Sequence, residues 1–193
     1  MKKLCVFCGS SVGYREIFRE TATELGRAMV SRGIDLVYGG GHVGLMGVLA
    51  DAVLAQGGQV VGVIPQFLKD WEVAHSGVTE LIVSQTMHER KARMAGLADG
   101  FIALPGGYGT LDELFEILTW KQLRLHAKPV GILNADGFFS PLLQMLDSMV
   151  AEGFVNATNR QLILVADGVD ELLEKMTLHT PKPGEQWVNS EKL

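Results

Sequence analysis

The run Pro105-Gly106-Gly107-Tyr108-Gly109-Thr110-Leu111-Asp112-Glu113 holds more potential chemistry than any other stretch of this chain. Three glycines in four positions let backbone N–H groups crowd toward one point, and the helix predicted to follow adds partial positive charge there. The combination makes an anion cradle, with the Thr110 hydroxyl at the N-cap position. An ordinary strand-to-helix turn with a capping threonine explains one glycine but not three. Glu113 then falls in the first helical turn, beside whatever the cradle holds. A carboxylate next to a bound anion is a costly placement, and two explanations compete: a catalytic role, or a capping box with Thr110 three residues earlier.

A second cluster lies upstream. In the helix that begins at Met87, the apolar stripe of Met87, Met94, Leu97 and Ala98 also passes through Arg90 and Lys91. Positive charges on a stripe aimed at a core need a partner, which a phosphate or Glu113 would supply; the alternative is that both side chains snorkel to water.

Three further motifs are weaker. Gly39-Gly40-Gly41-His42-Val43-Gly44 fits the dinucleotide fingerprint, but it follows the second predicted strand, and no acidic ribose ligand ends the next one. It reads better as a phosphate or ribose cradle through Gly40 and Gly41, or as a tight turn needing glycine for its geometry. Gly9-Ser10-Ser11-Val12-Gly13 matches the nucleophile elbow of hydrolases, yet it follows the first strand and no Asp and His pair stands at later strand ends. Ser10 is expected instead in a polar loop near a ligand. The five histidines show no metal-ligand spacing, so no metal is expected.

The elements that must position these residues alternate along the chain. Strands are predicted at 4–8, 34–38, 60–64, 80–83, 101–104, 130–133 and 162–165, and helices at about 14–31, 45–56, 87–98, 110–126, 140–151 and 169–176. Near-continuous apolar strands separated by helices predict a parallel sheet covered on both faces, a Rossmann-like, doubly wound α/β fold of about seven strands. The alternation fails at 65–78, a loop holding Trp71, Glu72 and His75 that is longer than a strand-to-helix unit needs. No internal repeat or low-complexity segment appears. One domain is expected over residues 1–178, with a frayed tail at 179–193.

Composition sets limits on partners. A net charge of −5 from 17 basic and 22 acidic residues argues against general nucleic-acid binding. The chain has no apolar run of about 18 residues, so no transmembrane helix is predicted, and the short apolar start lacks a signal-peptide cleavage site. A cytoplasmic protein is expected. Cys5 and Cys8 lie within one predicted strand, where residues three apart face opposite ways about 10 Å from each other. They read as buried structural cysteines rather than a redox pair.

Met87-His88-Glu89-Arg90-Lys91 followed by the segment 105–113 resembles the Lonely Guy (LOG) family, whose signature is P-G-G-x-G-T-x-x-E with an upstream R-K pair. The similarity extends over about 2–176. The resemblance implies a cytokinin riboside 5′-monophosphate phosphoribohydrolase, which splits the N-glycosidic bond of an N6-substituted AMP into free base and ribose 5-phosphate. It implies Arg90 and Glu113 as the catalytic pair. Lys91, Gly106, Gly107, Tyr108, Gly109, Thr110, Leu111 and Asp112 become substrate contacts, together with Glu72 and Thr119. Asp112 stands where many members have glutamate, a shorter side chain at that point. A general AMP nucleosidase and a non-catalytic nucleotide-binding protein are the alternatives. Members have also carried the label lysine decarboxylase, but no lysine motif for pyridoxal phosphate is recognisable, and no cofactor is expected.

The helix predicted at 110–126 has two apolar sides, one of Leu111, Leu114, Phe115, Leu118 and Leu125, the other of Ile117, Trp120 and Leu123. A helix apolar around most of its girth has to be buried twice, which predicts a homodimer. The resemblance implies the same.

Overall fold

The structure, a computed structural model, describes residues 1–71 and 73–180. Seven parallel strands run in the order β4-β3-β2-β1-β5-β6-β7, where β1 is Lys3–Phe7, β2 Asp35–Tyr38, β3 Val60–Pro65, β4 Glu80–Ser84, β5 Gly100–Ala103, β6 Val130–Leu133 and β7 Ile163–Ala166. This is the Rossmann-like α/β architecture expected from the apolar runs. Strand register is continuous across the centre, with Cys5 opposite both Val37 and Phe101.

Alternation along β1 shows how the sheet divides two cores. Leu4, Val6 and Cys8 join Leu25, Met29, Leu49 and Leu172 on one face, while Cys5 and Phe7 join Met94, Phe101, Leu114 and Leu146 on the other. The first face is covered by α1 (Glu16–Ser31), α2 (Gly44–Ala55) and α8 (Val169–Thr177), the second by α4 (Met87–Leu97), α5 (Tyr108–Gln122) and α6 (Ser140–Ala151). The two cysteines are free, buried and on opposite faces, as their spacing predicted, and burial raises both thiol pKa values.

Chain order grows outward from β1 to β4 in one direction and from β5 to β7 in the other. The reversal falls between neighbours β1 and β5, and in such sheets the crevice at the carboxyl ends of those strands receives ligands. The loops after β1 and β5 are the Gly9–Gly13 segment and the Pro105–Gly107 segment.

Several boundaries depart from expectation. The segment 65–78 is not a plain loop: Pro65 ends β3 and a short helix α3 (Gln66–Asp70) follows at once. A further short helix, α7 (Ala157–Arg160), precedes β7. Helix α1 starts at Glu16 rather than 14, because Gly13 takes a left-handed conformation and leaves Tyr14 fully exposed. Of the tail expected at 179–193, positions 181–193 lie outside the described residues. Among the described residues no helix is long and apolar enough to cross a membrane.

Candidate active site

Helix α4 delivers Arg90. Thr86 caps it by accepting from the Glu89 amide at 3.1 Å, and the Glu89 carboxylate accepts from the Gln85 amide at 2.8 Å, which makes a reciprocal cap. One turn later Arg90 points inward and is only 7% exposed. Its Nε donates to the Val63 carbonyl at 3.0 Å, near the end of β3, and its Nη1 lies 2.6 Å from Oε1 of Glu113. The third nitrogen, Nη2, lies over Gly39, where any Cβ would collide with the guanidinium. So a glycine follows β2 at this point for steric reasons, and Arg90 spans the carboxyl ends of β2 and β3 to reach α5.

Glu113 is therefore the partner that Arg90 required, and neither side chain snorkels to water. The capping-box alternative fails, because α5 begins at Tyr108 with Gly107 as its N-cap and no capping side chain. Thr110 is thereby the third helical residue rather than the cap, and Glu113 sits in the second turn. Burial pushes the Glu113 carboxyl above the ordinary carboxylate range, and the Arg90 charge and hydrogen bond pull against it. A buried carboxylate with a raised pKa beside a fixed cation is a better proton acceptor than an exposed one.

Lys91 turns to the next stripe of α5. Its Nζ lies 3.1 Å from Asp112 and 3.1 Å from Glu116. Burial pulls the Lys91 ammonium down, but the Glu116 and Asp112 carboxylates outweigh it and leave its pKa above the usual lysine value. The sequence reading missed Glu116. The available signal was its spacing, one helical turn beyond Asp112 and on the side of α5 that faces α4.

The cradle is open. The first amides of α5 have no intrahelical acceptor, and a Cβ on Gly107 or Gly109 would meet nothing within 4 Å. By contrast a Cβ on Gly106 would strike the Thr110 hydroxyl, so the hydroxyl folds back over the loop while Thr110 stays buried. Tyr108 projects outward at 94% exposure, and Leu111 packs partly buried against the second core. Ser10 joins Gly106 and Gly107 in lining a cavity of about 270 Å³ whose apolar wall is Phe18, Leu45 and Phe138.

Other expected positions sit on neighbouring segments. Gly40 and Gly41 pack against the segment after α3, with Gly40 lending its carbonyl to the His75 amide at 2.9 Å and Gly41 bridging to Ala74. Thr119 is exposed on α5, and its hydroxyl donates to the Phe115 carbonyl at 2.7 Å. Glu72 lies outside the described residues. Met87, read as part of the buried stripe of α4, is 39% exposed at the helix start. Among the described residues no group of three or more His, Cys, Asp or Glu side chains could hold a metal ion.

Residues 46–176 match a family described as possible lysine decarboxylase. The chain is 53% identical over 178 residues to a probable cytokinin riboside 5′-monophosphate phosphoribohydrolase of Oryza sativa subsp. japonica, covering 92% of this chain and 80% of that protein. It is 49% identical over 181 residues to a cytokinin riboside 5′-monophosphate phosphoribohydrolase of Arabidopsis thaliana, covering 94% and 85%. Among solved structures, the molybdenum cofactor carrier protein of Chlamydomonas reinhardtii superposes with a TM-score of 0.70 at 23% identity over 92% of this chain and 99% of that one, a likeness of fold alone. With the P-G-G-x-G-T-x-x-E segment, the Arg90–Glu113 pair and relatives of this identity over nearly the whole chain, the protein belongs to the Lonely Guy family.

Proposed function

We propose that the protein hydrolyses the N-glycosidic bond of N6-substituted adenosine 5′-monophosphates, releasing a free cytokinin base and ribose 5-phosphate. The observation that carries this reading is the buried Arg90–Glu113 pair beside an uncapped, glycine-lined helix terminus. Relatives at 53% and 49% identity bear the name of that activity, which supports it. A protein that only bound nucleotides would have no use for a buried carboxylate at this point.

In this reading Gly106, Gly107, Gly109 and Thr110 hold the 5′-phosphate on the first-turn amides of α5, with Ser10 across the cavity. Lys91, Asp112 and the neighbouring Tyr108 and Leu111 flank the rest of the nucleotide, together with Gly40, Gly41, Glu72 and Thr119. Cleavage breaks the bond from C1′ to the purine nitrogen, and the electron pair leaves with the purine. Water supplies a hydroxyl to C1′ and a proton to the base. Positive charge grows on the sugar and negative charge on the purine, so opposite fixed charges on either side lower the barrier. Glu113 stabilises the sugar cation, takes the proton from water as its oxygen bonds to C1′, and releases that proton to the departing base. Arg90, permanently charged, stabilises the departing base and orients the carboxylate rather than donating a proton. The chemistry calls for no cofactor, and the reading places the enzyme in the cytoplasm as a homodimer.

The test is to incubate pure protein with AMP and with N6-isopentenyl-AMP and to separate the released bases by chromatography. Isopentenyladenine should be released faster than adenine. Equal rates would make the protein a general AMP nucleosidase, and no base from either would remove the hydrolytic reading.

A further inference from the structure

The segment between α3 and β4 returns across the glycine loop after β2 and is tied to it by two backbone bonds. The His42 amide donates to the Val73 carbonyl and the His75 amide to the Gly40 carbonyl, each at 2.9 Å. An isolated bridge of this size is a weak attachment for a surface segment. What reinforces it is the His75 ring, whose side chain is only 12% exposed. Nδ1 lies 3.0 Å from the Gly77 amide, and Nε2 lies 3.0 Å from Oδ1 of Asp51 on α2.

These partners fix the tautomer. The Gly77 N–H can only donate, so Nδ1 is the acceptor, the proton sits on Nε2, and that N–H donates to the Asp51 carboxylate. One ring thus joins three pieces of chain: its own turn, α2 and, through its backbone amide, the glycine loop. That loop starts at Gly39, against which the Arg90 guanidinium rests.

We infer that His75, held by Asp51, is a positioning residue that keeps the post-α3 segment closed on the glycine loop and so sets one wall of the nucleotide site. The inference rests on the nucleotide-hydrolase reading above for its substrate. Neither residue touches the Arg90–Glu113 pair, which Val63 holds independently. Loosening the wall should therefore weaken substrate capture and leave the chemical step nearly intact.

The experiment compares His75→Ala, His75→Asn and Asp51→Ala in the full chain, with N6-isopentenyl-AMP as substrate. Asn is the conservative variant, because its side-chain oxygen reaches the amide two residues on, as Nδ1 does. His75→Ala should raise KM about ten-fold and change kcat by less than about three-fold, a loss of binding common to ground and transition states. Asn should recover most of that KM, Asp51→Ala should raise it less, and the double Ala variant should be no worse than His75→Ala. Amide hydrogen exchange on the unliganded proteins gives a second readout that does not depend on turnover. Exchange at His42 and His75 should quicken in His75→Ala and return toward wild type in His75→Asn. A wild-type KM in both Ala variants, a fall in kcat at constant KM, or a lower Tm with unchanged exchange would overturn the inference. If the wild type releases no base, the substrate reading fails instead, and AMP affinity together with exchange still decides the role of His75.

Discussion

Nη1 of Arg90 lies 2.6 Å from Oε1 of Glu113 in a setting where both residues are less than a tenth exposed. Removing one member of such a pair strands a charge, at a cost of about 3 to 5 kcal/mol. Glu113→Gln keeps an oxygen where Nη1 needs one and removes only the charge. It should lower kcat about a thousand-fold or more while nucleotide affinity stays within about ten-fold. Arg90→Ala should lose both rate and binding and unfold at lower urea. Steady-state kinetics with urea melts separates the two, and a near-normal kcat in Glu113→Gln would remove the proposed role of that carboxylate.

The raised Glu113 pKa carries a sign. Activity needs the carboxylate, so it is present above the raised value and lost as pH falls through it. The acid limb of kcat should lie above the ordinary glutamate value of 4.5, because burial outweighs the pull of Arg90. A limb at or below that value would mean that another group controls the step.

Glu116 completes a bracket around Lys91 with Asp112, each carboxylate 3.1 Å from Nζ. Glu116→Gln should let the ammonium swing away and raise KM several-fold. In a double-mutant cycle with Lys91→Met the two should couple by about 1 kcal/mol. Additive effects on KM would make Glu116 a bystander.

What the sequence revealed and what it hid divide along physical lines. Strands buried on both faces read as continuous apolar runs, so β1, β2 and β5 were visible, and the motif loops fell at their carboxyl ends. The T-x-x-E pattern stands at a predicted helix start twice, at Thr86–Glu89 and at Thr110–Glu113, and only the first is a cap. Nothing local separates them; the difference is that Arg90, from another helix, claims Glu113. Helix α3 is too short to show a period, and the His75–Asp51 contact joins residues 24 apart with no motif between them. The two sides assigned to α5 were partly exchanged. Ile117 belongs to the core at 3% exposure, whereas Leu125 lies past the helix end at 69%. The buried stripe instead runs through Thr110, Glu113, Leu114, Ile117 and Lys121, and the polar members kept it from standing out.

Lys121 is the unusual member of that stripe. It is 4% exposed, and its Nζ donates to the Leu162 carbonyl at 3.1 Å and lies 3.4 Å from Nε2 of His179. Burial lowers its pKa to about 8. A lysine depressed in the fold but not in the unfolded chain destabilises the protein below the folded value. The penalty fades as pH rises from about 8 toward the unfolded value near 10.4. Lys121→Met should therefore raise stability at pH 7 by about 1 to 2 kcal/mol, the relieved charge burial being offset in part by the lost bond to Leu162. The gain should shrink between pH 8 and 10. A destabilised variant at pH 7, or a gain that does not change with pH, would contradict this account.

With Ile117 inside and Phe115, Leu118 and Trp120 half-buried against the second core, the apolar surface left over is at the end of α5, where Leu123 is 56% and Leu125 69% exposed. We expect a homodimer in which this end of α5 and the turn after it meet their symmetry mates. The contact would then lie at the far end of the helix that carries Glu113, about 15 Å along its axis from that residue. Burying a leucine side chain contributes roughly 1.5 to 3 kcal/mol, so charges at both positions should weaken the dimer by well over about a hundred-fold. Light scattering on the wild type and on the Leu123→Glu, Leu125→Glu double variant tests it. Trp120→Glu serves as a comparison whose side chain also supports the core. A monomeric wild type would end the proposal, and a double variant that stays dimeric and fully active would move the contact to another face.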